Sequence, residues 1–105
     1  MSQTKEQIIG DIDRYIKNNG YNFRNWYVGI AASPRARLFN DHSVQEHSDA
    51  WIYREAVSSL SARGIEDCFI KGAGTRGGTG GGDARSRFVY AYKIRPHTRQ
   101  SPISI

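Results

Sequence analysis

A glycine-rich segment with interspersed hydrogen-bond donors carries residue types suited to ligand chemistry. Seven of the chain's eleven glycines lie between Gly72 and Gly82. Backbone amides without side chains can surround a phosphate group. The segment matches neither the Walker A pattern nor the dinucleotide-binding fingerprint, since it follows a predicted helix instead of opening one. We interpret residues 72–87 as a phosphate-binding loop, with a flexible linker as the alternative. The side chains that would add donors are Thr75, Arg76, Thr79 and Arg85.

Charge is distributed unevenly along the chain. The formal net charge is +5, and most of the acidic residues precede residue 68. Between residues 71 and 99, Asp83 is the only acid among seven basic residues: Lys71, Arg76, Arg85, Arg87, Lys93, Arg95 and Arg99. A positive half of this kind indicates an anionic partner, and we expect nucleic acid or a nucleotide. A basic surface that only keeps the protein in solution is the alternative.

The run YVGIAASPRARL, from Tyr27 to Leu38, resembles the second half of the motif of GIY-YIG nucleases. In that family a tyrosine-x-glycine strand is followed, at this spacing, by a helix that presents an arginine to the scissile phosphate. A later helix carries a glutamate that binds one divalent metal ion, and the stretch from Ile65 to Lys71 resembles that helix. The resemblance covers roughly Tyr27 to Lys71. It implies a GIY-YIG-like α+β fold, cleavage of DNA or RNA, and Mg²⁺ or Mn²⁺ as cofactor.

Four residues would be catalytic if the resemblance extends to activity. Arg37 would offer a planar set of donors to phosphate oxygens. Glu66 would bind the metal through a hard oxygen ligand. Tyr27 would activate or position the attacking water, and His42 would exchange a proton near neutral pH. We also expect three further residues to contact the phosphate-bearing ligand: Arg35, Lys71 and Tyr90.

The sequence departs from the family pattern in three places. No first GIY strand precedes Tyr27 at hairpin distance, and we expect the C-terminal strand to fill its place, with Val89-Tyr90 standing in. His42 lies one residue further from Arg37 than is usual in the family. The asparagine expected after the glutamate helix is missing, and the glycine-rich segment stands there instead.

Each candidate residue also has an ordinary structural interpretation. Tyr27 would simply pack in the sheet, and Arg37 would be a solvated helix charge. Glu66 follows Arg63 by three residues, so the two would form a helix ion pair. His42 would be a surface loop residue. Two alternative functions follow: a phosphate-ligand binding protein without catalysis, and an interaction module that forms homo-oligomers through aromatic residues such as Trp26 and Trp51.

Local signals predict the elements that must position these residues. Thr4 to Gln7 has the form of a capping box, and an apolar stripe then predicts a helix that ends near Gly20. We predict strands at residues 26–31, 51–56 and 88–94, and helices after Ser33 and after Ser58. The second of those helices is expected to bury Leu60, Ile65, Cys68 and Phe69 and to close at Gly72. The predicted fold is therefore α+β, with a three-stranded, mainly antiparallel sheet flanked by helices.

The totals of the sequence set the class of protein. A chain of 105 residues supports one domain, residues 1–105, with one hydrophobic core. No stretch has the length of a membrane-spanning helix, and one cysteine cannot form an internal disulfide, so we expect a cytoplasmic protein and no membrane partner. Residues 96–105 follow the last strand and are expected to form a mobile tail.

Overall fold

The first helix begins and ends where local signals place it. The computed structural model describes residues 2–78 and 84–100. Helix α1 spans Lys5–Asn18, and the Thr4 hydroxyl accepts the Gln7 amide while the Gln7 side chain accepts the Thr4 amide. This reciprocal pair satisfies two donors that the start of a helix leaves free. Past the helix end, Gly20 has a φ of 116°, a conformation that glycine adopts without steric cost.

Three strands form one antiparallel sheet: β1 at Trp26–Ala31, β2 at Trp51–Glu55 and β3 at Phe88–Lys93. Their order is β1-β3-β2, so the last strand in the chain is the central one. In this register Tyr90 lies opposite Gly29 on one side and Tyr53 on the other. The predicted α+β class with a three-stranded antiparallel sheet is confirmed.

Two helices change their hydrogen-bonding pattern before they end. Helix α2 spans Pro34–Ala36 and continues as a π-helical turn over Arg37–Asp41. Helix α3 spans Ser59–Asp67, is capped by the Ser58 hydroxyl, and continues as a π-helical turn over Cys68–Ala73. The helical backbone thus reaches one residue beyond the predicted closure at Gly72, and Gly74 ends it with a φ of 90°.

Each face of the sheet packs against its own set of residues. Trp26, Val28 and Val89 point from one face into the main core with α1 and α3, and Tyr27, Tyr90 and Tyr92 point from the other into a smaller core with Leu38 and Val44. The predicted burial of Leu60 and Cys68 is wrong. Leu60 is 82% exposed and Cys68 is also exposed, because the buried stripe of α3 runs through Ala62, Ile65, Glu66 and Phe69.

The segment after β3 packs against the domain as far as residue 100. Thr98 is buried, the Arg99 amide donates to the His42 carbonyl, and the Tyr92 hydroxyl donates to the Gln100 side chain. Residues 98–100 of the expected mobile tail thus contact the domain, and residues 101–105 lie outside the described residues. Within the described ranges, no helix combines the length and apolar character needed to cross a membrane.

Candidate functional site

Three tyrosine rings and one imidazole form a cluster on the second face of the sheet. The Tyr27 ring stacks on Tyr92, with centroids 5.3 Å apart, and on Tyr90 at 6.3 Å. The imidazole of His42 lies 4.7 Å from the Tyr27 centroid. Tyr90, Tyr92 and His42 are fully buried, and Tyr27 nearly so. We call these four residues the phenolic cluster.

Gly29 is needed because the Tyr90 side chain passes over it. A methyl group at residue 29 would stand 2.5 Å from the Tyr90 hydroxyl oxygen and 2.6 Å from the ring carbon that bears it. Real side chains do not approach this closely, so any larger residue would displace the phenol. The glycine two residues after Tyr27 therefore has a direct steric role in the cluster.

The π-helical turn accounts for the unusual spacing of Arg37 and His42. The His42 amide donates to the Arg37 carbonyl over 2.9 Å, which is the i to i+5 bond of a π turn. An α-helix brings residues four apart onto one face, and the extra residue in the π turn does the same for residues five apart. Arg37 and His42 consequently both reach the phenolic cluster.

His42 is held between a phenol and a backbone carbonyl. Its Nδ1 lies 2.5 Å from the Arg99 carbonyl oxygen, and its Nε2 lies 2.8 Å from the Tyr90 hydroxyl oxygen. A carbonyl oxygen only accepts, so Nδ1 must carry the proton and, in the neutral ring, Nε2 must accept from Tyr90. Burial lowers the pKa of His42, and the nearby Arg37 charge lowers it further. The ring is therefore neutral at pH 7 and accepts a hydrogen bond from the phenol.

Arg37 places a positive charge beside two of the phenols. Arg37 acts to lower the pKa values of the Tyr90 and Tyr27 hydroxyls, against the raising effect of burial. A partly exposed ion pair to Asp41, at 3.3 Å, holds one end of the guanidinium. The buried Nε has no hydrogen-bond partner among residues 2–78 and 84–100. The guanidinium thus keeps a donor for which the described part of the protein supplies no acceptor.

Glu66 lies on α3 with 2% of its surface exposed. Burial raises the pKa of its carboxyl to about 7, while Arg63 acts to lower it. A negative charge on Glu66 would also act to raise the pKa values of Tyr27 and Tyr90. The expected Arg63–Glu66 attraction is present, but it is smaller than the effect of burial.

A divalent ion would find one protein carboxylate here. No group of three or more histidine, cysteine or acidic side chains capable of holding a metal occurs within the described ranges. Mg²⁺ commonly keeps several waters and binds through one or two carboxylates together with substrate phosphates. A single buried Glu66 beside an arginine fits that mode, in which the phosphate of the substrate completes the coordination.

The start of the glycine-rich segment packs on the outer edge of β1. Arg76 pairs with the strand, since its amide donates to the Trp26 carbonyl and its carbonyl accepts the Val28 amide. A methyl group at Gly77 would stand 2.6 Å from the Val28 carbonyl oxygen. A methyl group at Gly78 would stand 3.2 Å from the Tyr27 hydroxyl oxygen. Residues 76–78 are therefore ordered against the cluster, and these contacts explain two of the glycines.

Other predicted ligand residues lie at varied distances from the cluster. Thr75 is buried, and its hydroxyl has no hydrogen-bond partner within the described residues. The side chains of Arg76, Lys71 and Arg85 are exposed. The guanidinium carbon of Arg35 lies 5.8 Å from the centroid of the Trp51 ring, and Trp51 is opposite Tyr92 in the sheet. Thr79 is outside the described residues.

The structure brings together Tyr27, His42 and Tyr90, and the charges of Arg37 and Glu66 act on Tyr27 and Tyr90. Tyr92 and the Arg99 carbonyl also contact His42 but were not predicted from the sequence. The two-residue spacing of Tyr90 and Tyr92 places both on one face of a strand and could have identified Tyr92. Nothing local to residue 99 signals its contact with His42.

Comparison with known proteins gives no relative of this chain. No family model matches it, and neither a curated protein nor a solved structure gives a significant match. The GIY-YIG resemblance therefore depends on the motif residues alone.

Proposed function

We propose that this protein is a GIY-YIG-like phosphodiesterase that cleaves DNA or RNA with a divalent metal ion. The observation that carries the proposal is the presence of Tyr27, Arg37 and Glu66 in the order of the family motif. These residues come from β1, the turn after α2 and helix α3, and the charges of Arg37 and Glu66 both act on Tyr27. A basic, a phenolic and an acidic group together are a combination that phosphodiester hydrolysis can use.

The strand order gives further support. β3 lies beside β1 and contributes Tyr90 directly opposite Gly29. The resemblance implies a first GIY strand next to the tyrosine-x-glycine strand. The sequence has no such strand before Tyr27, and β3 occupies that position instead. A tyrosine is thereby supplied from the C-terminal end of the chain instead of from the N-terminal side.

Each residue of the candidate site has its own role in the proposed hydrolysis. Arg37 binds the phosphate and stabilises the charge that develops on it. Tyr27 positions the attacking water. As water attacks phosphorus and the bond to the leaving oxygen breaks, a water proton passes to the Tyr90 oxygen and the Tyr90 proton passes to His42 Nε2. The Arg99 carbonyl keeps His42 in the tautomer that can accept it.

The proposed cofactor is Mg²⁺ or Mn²⁺, with Glu66 as its protein ligand. A bound divalent ion neutralises phosphate charge and stabilises the leaving oxygen. The carboxylate form of Glu66 is the one that binds a cation, so we expect activity to rise with pH around its pKa of about 7. An exposed, unpaired Cys68 suits a reducing compartment, and the proposal places the protein in the cytoplasm.

The test is cleavage of supercoiled plasmid and of single-stranded oligonucleotides with Mg²⁺ or Mn²⁺. Glu66→Gln should lose the metal ligand, and Arg37→Lys should keep the charge but lose the planar donors. We expect each to reduce cleavage by roughly a hundredfold or more. Glu6→Gln, which changes an exposed carboxylate on α1, is the matched control and should cleave at the wild-type rate. Equal rates for wild type and Glu66→Gln would rule out the proposal.

A second function is favoured by the state of Glu66. A carboxyl with a pKa of about 7 is half protonated at neutral pH, and a neutral carboxyl is a poor metal ligand. On this alternative the protein holds a nucleic acid, a nucleotide signal or another phosphorylated ligand on Arg37 and the start of the glycine-rich segment without cleaving it. Calorimetric titration with oligonucleotides and cyclic nucleotides in EDTA, together with the cleavage assay, distinguishes the two: heat without turnover supports binding alone.

A further inference from the structure

A row of aromatic side chains continues the second face of the sheet beyond the phenolic cluster. The Trp51 and Tyr53 rings, both from β2, have centroids 6.0 Å apart and planes only 12° from parallel. Phe88 on β3 meets Tyr53 edge-on, with centroids also 6.0 Å apart. All three side chains are partly exposed, unlike the fully buried Tyr90 and Tyr92 beside them. We call Trp51, Tyr53 and Phe88 the aromatic row.

Arg35 adds a cation to one end of the aromatic row. Its guanidinium carbon lies 5.8 Å from the Trp51 ring and 5.0 Å from Phe39, and its side chain is about half exposed, at 50%. An arginine on aromatic rings binds phosphate oxygens and stacks on bases. The bordering carboxylates of Glu46 and Glu55 are paired with Arg35 and Arg87 respectively. The acidic groups next to the row therefore do not give it a net negative charge.

The aromatic row is continuous with the candidate site. Tyr53 lies directly opposite Tyr90 across the β2–β3 ladder, and Trp51 lies opposite Tyr92. Neighbouring strands are about 4.8 Å apart, which is less than the span of one nucleotide. An open groove of about 460 Å³ lies along the free edge of β2 and is lined by Tyr15, Trp51, Ile52, Tyr53 and Arg54. A nucleic-acid strand with one phosphate bound to Arg37 would thus place its adjoining nucleotides over the aromatic row.

We propose that the aromatic row binds unpaired bases, so that the substrate class of the candidate site is single-stranded nucleic acid. This inference rests on the proposed function for the position of the phosphate. The flat faces of bases stack on aromatic rings and on arginine. Bases in a duplex present only their edges, because their faces are covered by neighbouring pairs. The aromatic row therefore favours single strands or unpaired ends over continuous duplex.

Binding is tested in EDTA, which prevents cleavage, with three probes of equal length: an oligothymidylate, an abasic oligonucleotide and a blunt duplex. The abasic strand has the same phosphates without bases, so it separates stacking from charge. Trp51 is partly exposed and Trp26 is fully buried, so stacking should quench the Trp51 fluorescence. We expect oligothymidylate to quench and to bind at least fivefold more tightly than either other probe.

Substitutions then locate the bases on the row. Tyr53→Leu and Trp51→Leu keep apolar bulk but remove the aromatic faces, and each should weaken oligothymidylate binding by roughly fivefold to a hundredfold. Tyr21→Leu is the matched control, because Tyr21 is an aromatic residue that is 59% exposed outside the row. It should bind as wild type does. If a row variant fails to fold, the wild-type comparison of base-bearing and abasic strands still decides.

Several outcomes would overturn the inference. These are equal affinity for the abasic strand, absence of any binding to single strands, and wild-type affinity in both row variants. A change in molecular mass by light scattering, without a change in nucleic-acid binding, would assign the row to contacts between copies of the chain. The proposed function fails separately. If bases stack on the aromatic row but no metal supports cleavage, the proposed nuclease function fails and the base-binding inference stands. If cleavage depends on metal but the row variants do not affect it, the base-binding inference fails and the proposed function stands.

Discussion

The burial of Glu66 opposes the ionised form of its carboxyl, which is the form that would bind a cation. Its carboxyl is 2% exposed, and burial raises its pKa to about 7 from 4.5. Between pH 4.5 and about pH 7, Glu66 is protonated in the folded protein and ionised in the unfolded chain. The free energy of unfolding therefore falls as pH rises through this window. A charged Glu66 is therefore a cost to the fold at neutral pH. A bound cation would offset that cost.

Glu66→Gln should for this reason stabilise the protein at pH 8 and change little at pH 5. The expected gain in free energy of unfolding at pH 8 is on the order of 1 to 3 kcal/mol, since one pKa unit corresponds to about 1.4 kcal/mol. Urea denaturation at the two pH values measures it. Wild type and variant both contain His42, so their difference isolates the carboxyl. Glu6→Gln is the control, and a difference between wild type and Glu66→Gln that does not vary with pH would contradict the prediction.

Gly29→Ala should destabilise the protein by about 1 to 3 kcal/mol, the usual cost of an added methyl group in a filled core. The new methyl group would stand 2.5 Å from the Tyr90 hydroxyl oxygen, so the phenol must leave its contact with His42. Thermal denaturation measures the loss, and the His42 ring signals in NMR report the broken contact. Gly72→Ala is the matched control, because nothing lies within 4 Å of a methyl group there. Equal melting temperatures for both variants would show that the Tyr90 side chain does not depend on Gly29.

At the scale of elements, a π-helical turn sets the position of an important side chain. The π turn Arg37–Asp41 adds one residue to the helix, and this residue brings His42 under Tyr90. Such insertions cost hydrogen-bond geometry and occur often at functional sites. The turn over Cys68–Ala73 similarly ends α3 where the glycine-rich segment must cross to β1. The five-residue spacing of Arg37 and His42 is thus accommodated by the backbone.

Deleting Asn40, an exposed residue of the first π turn, should convert that turn to α-helix and leave the histidine on the same face. We expect a stability change within about 1 kcal/mol and an intact contact to Tyr90, because residues four apart share a face of an α-helix. Inserting an alanine after Asn40 should instead rotate the histidine away from Tyr90. Melting temperatures and the NMR signal of the buried imidazole distinguish the variants. The interpretation fails if the deletion is as damaging as the insertion.

At the scale of the whole molecule, the segment after β3 contacts both the phenolic cluster and the loop before β2. Residues 95–100 supply the Arg99 carbonyl to His42 and the Gln100 side chain to Tyr92. His97 pairs with Asp49 on the loop before β2. The cluster is therefore complete only when the chain has folded through to residue 100.

A chain that ends at Ile94 should lose stability by about 1 to 3 kcal/mol, the cost of leaving a buried donor such as His42 Nδ1 without its acceptor. A chain that ends at Gln100 keeps all of these contacts and should melt close to the full-length protein. Thermal denaturation compares the two, and the His42 NMR signals show whether the imidazole stays buried. Equal melting temperatures for both truncations would indicate that the tail does not hold the histidine.

The bounds of the helices and strands follow from the sequence because their signals are local. The Thr4 capping box, Gly20, Ser33-Pro34 and the Ser58 cap each act within a turn of their own position. The alternation of Tyr90 and Tyr92 likewise places both on one face of a strand without reference to the rest of the chain. These signals specify three strands and three helices, and with them the α+β class.

Only the tertiary structure decided which of these residues meet. The central position of β3, the burial of Glu66 and the contact of Arg99 with His42 depend on pairings between segments far apart in sequence. Leu60 and Cys68 fit a buried stripe by residue type, yet packing exposed both and buried a glutamate instead. The physical reason is that propensity and capping act over one turn of chain. Burial and strand order minimise the free energy of the whole molecule, and they bring Tyr27, His42, Tyr90 and Tyr92 into one cluster.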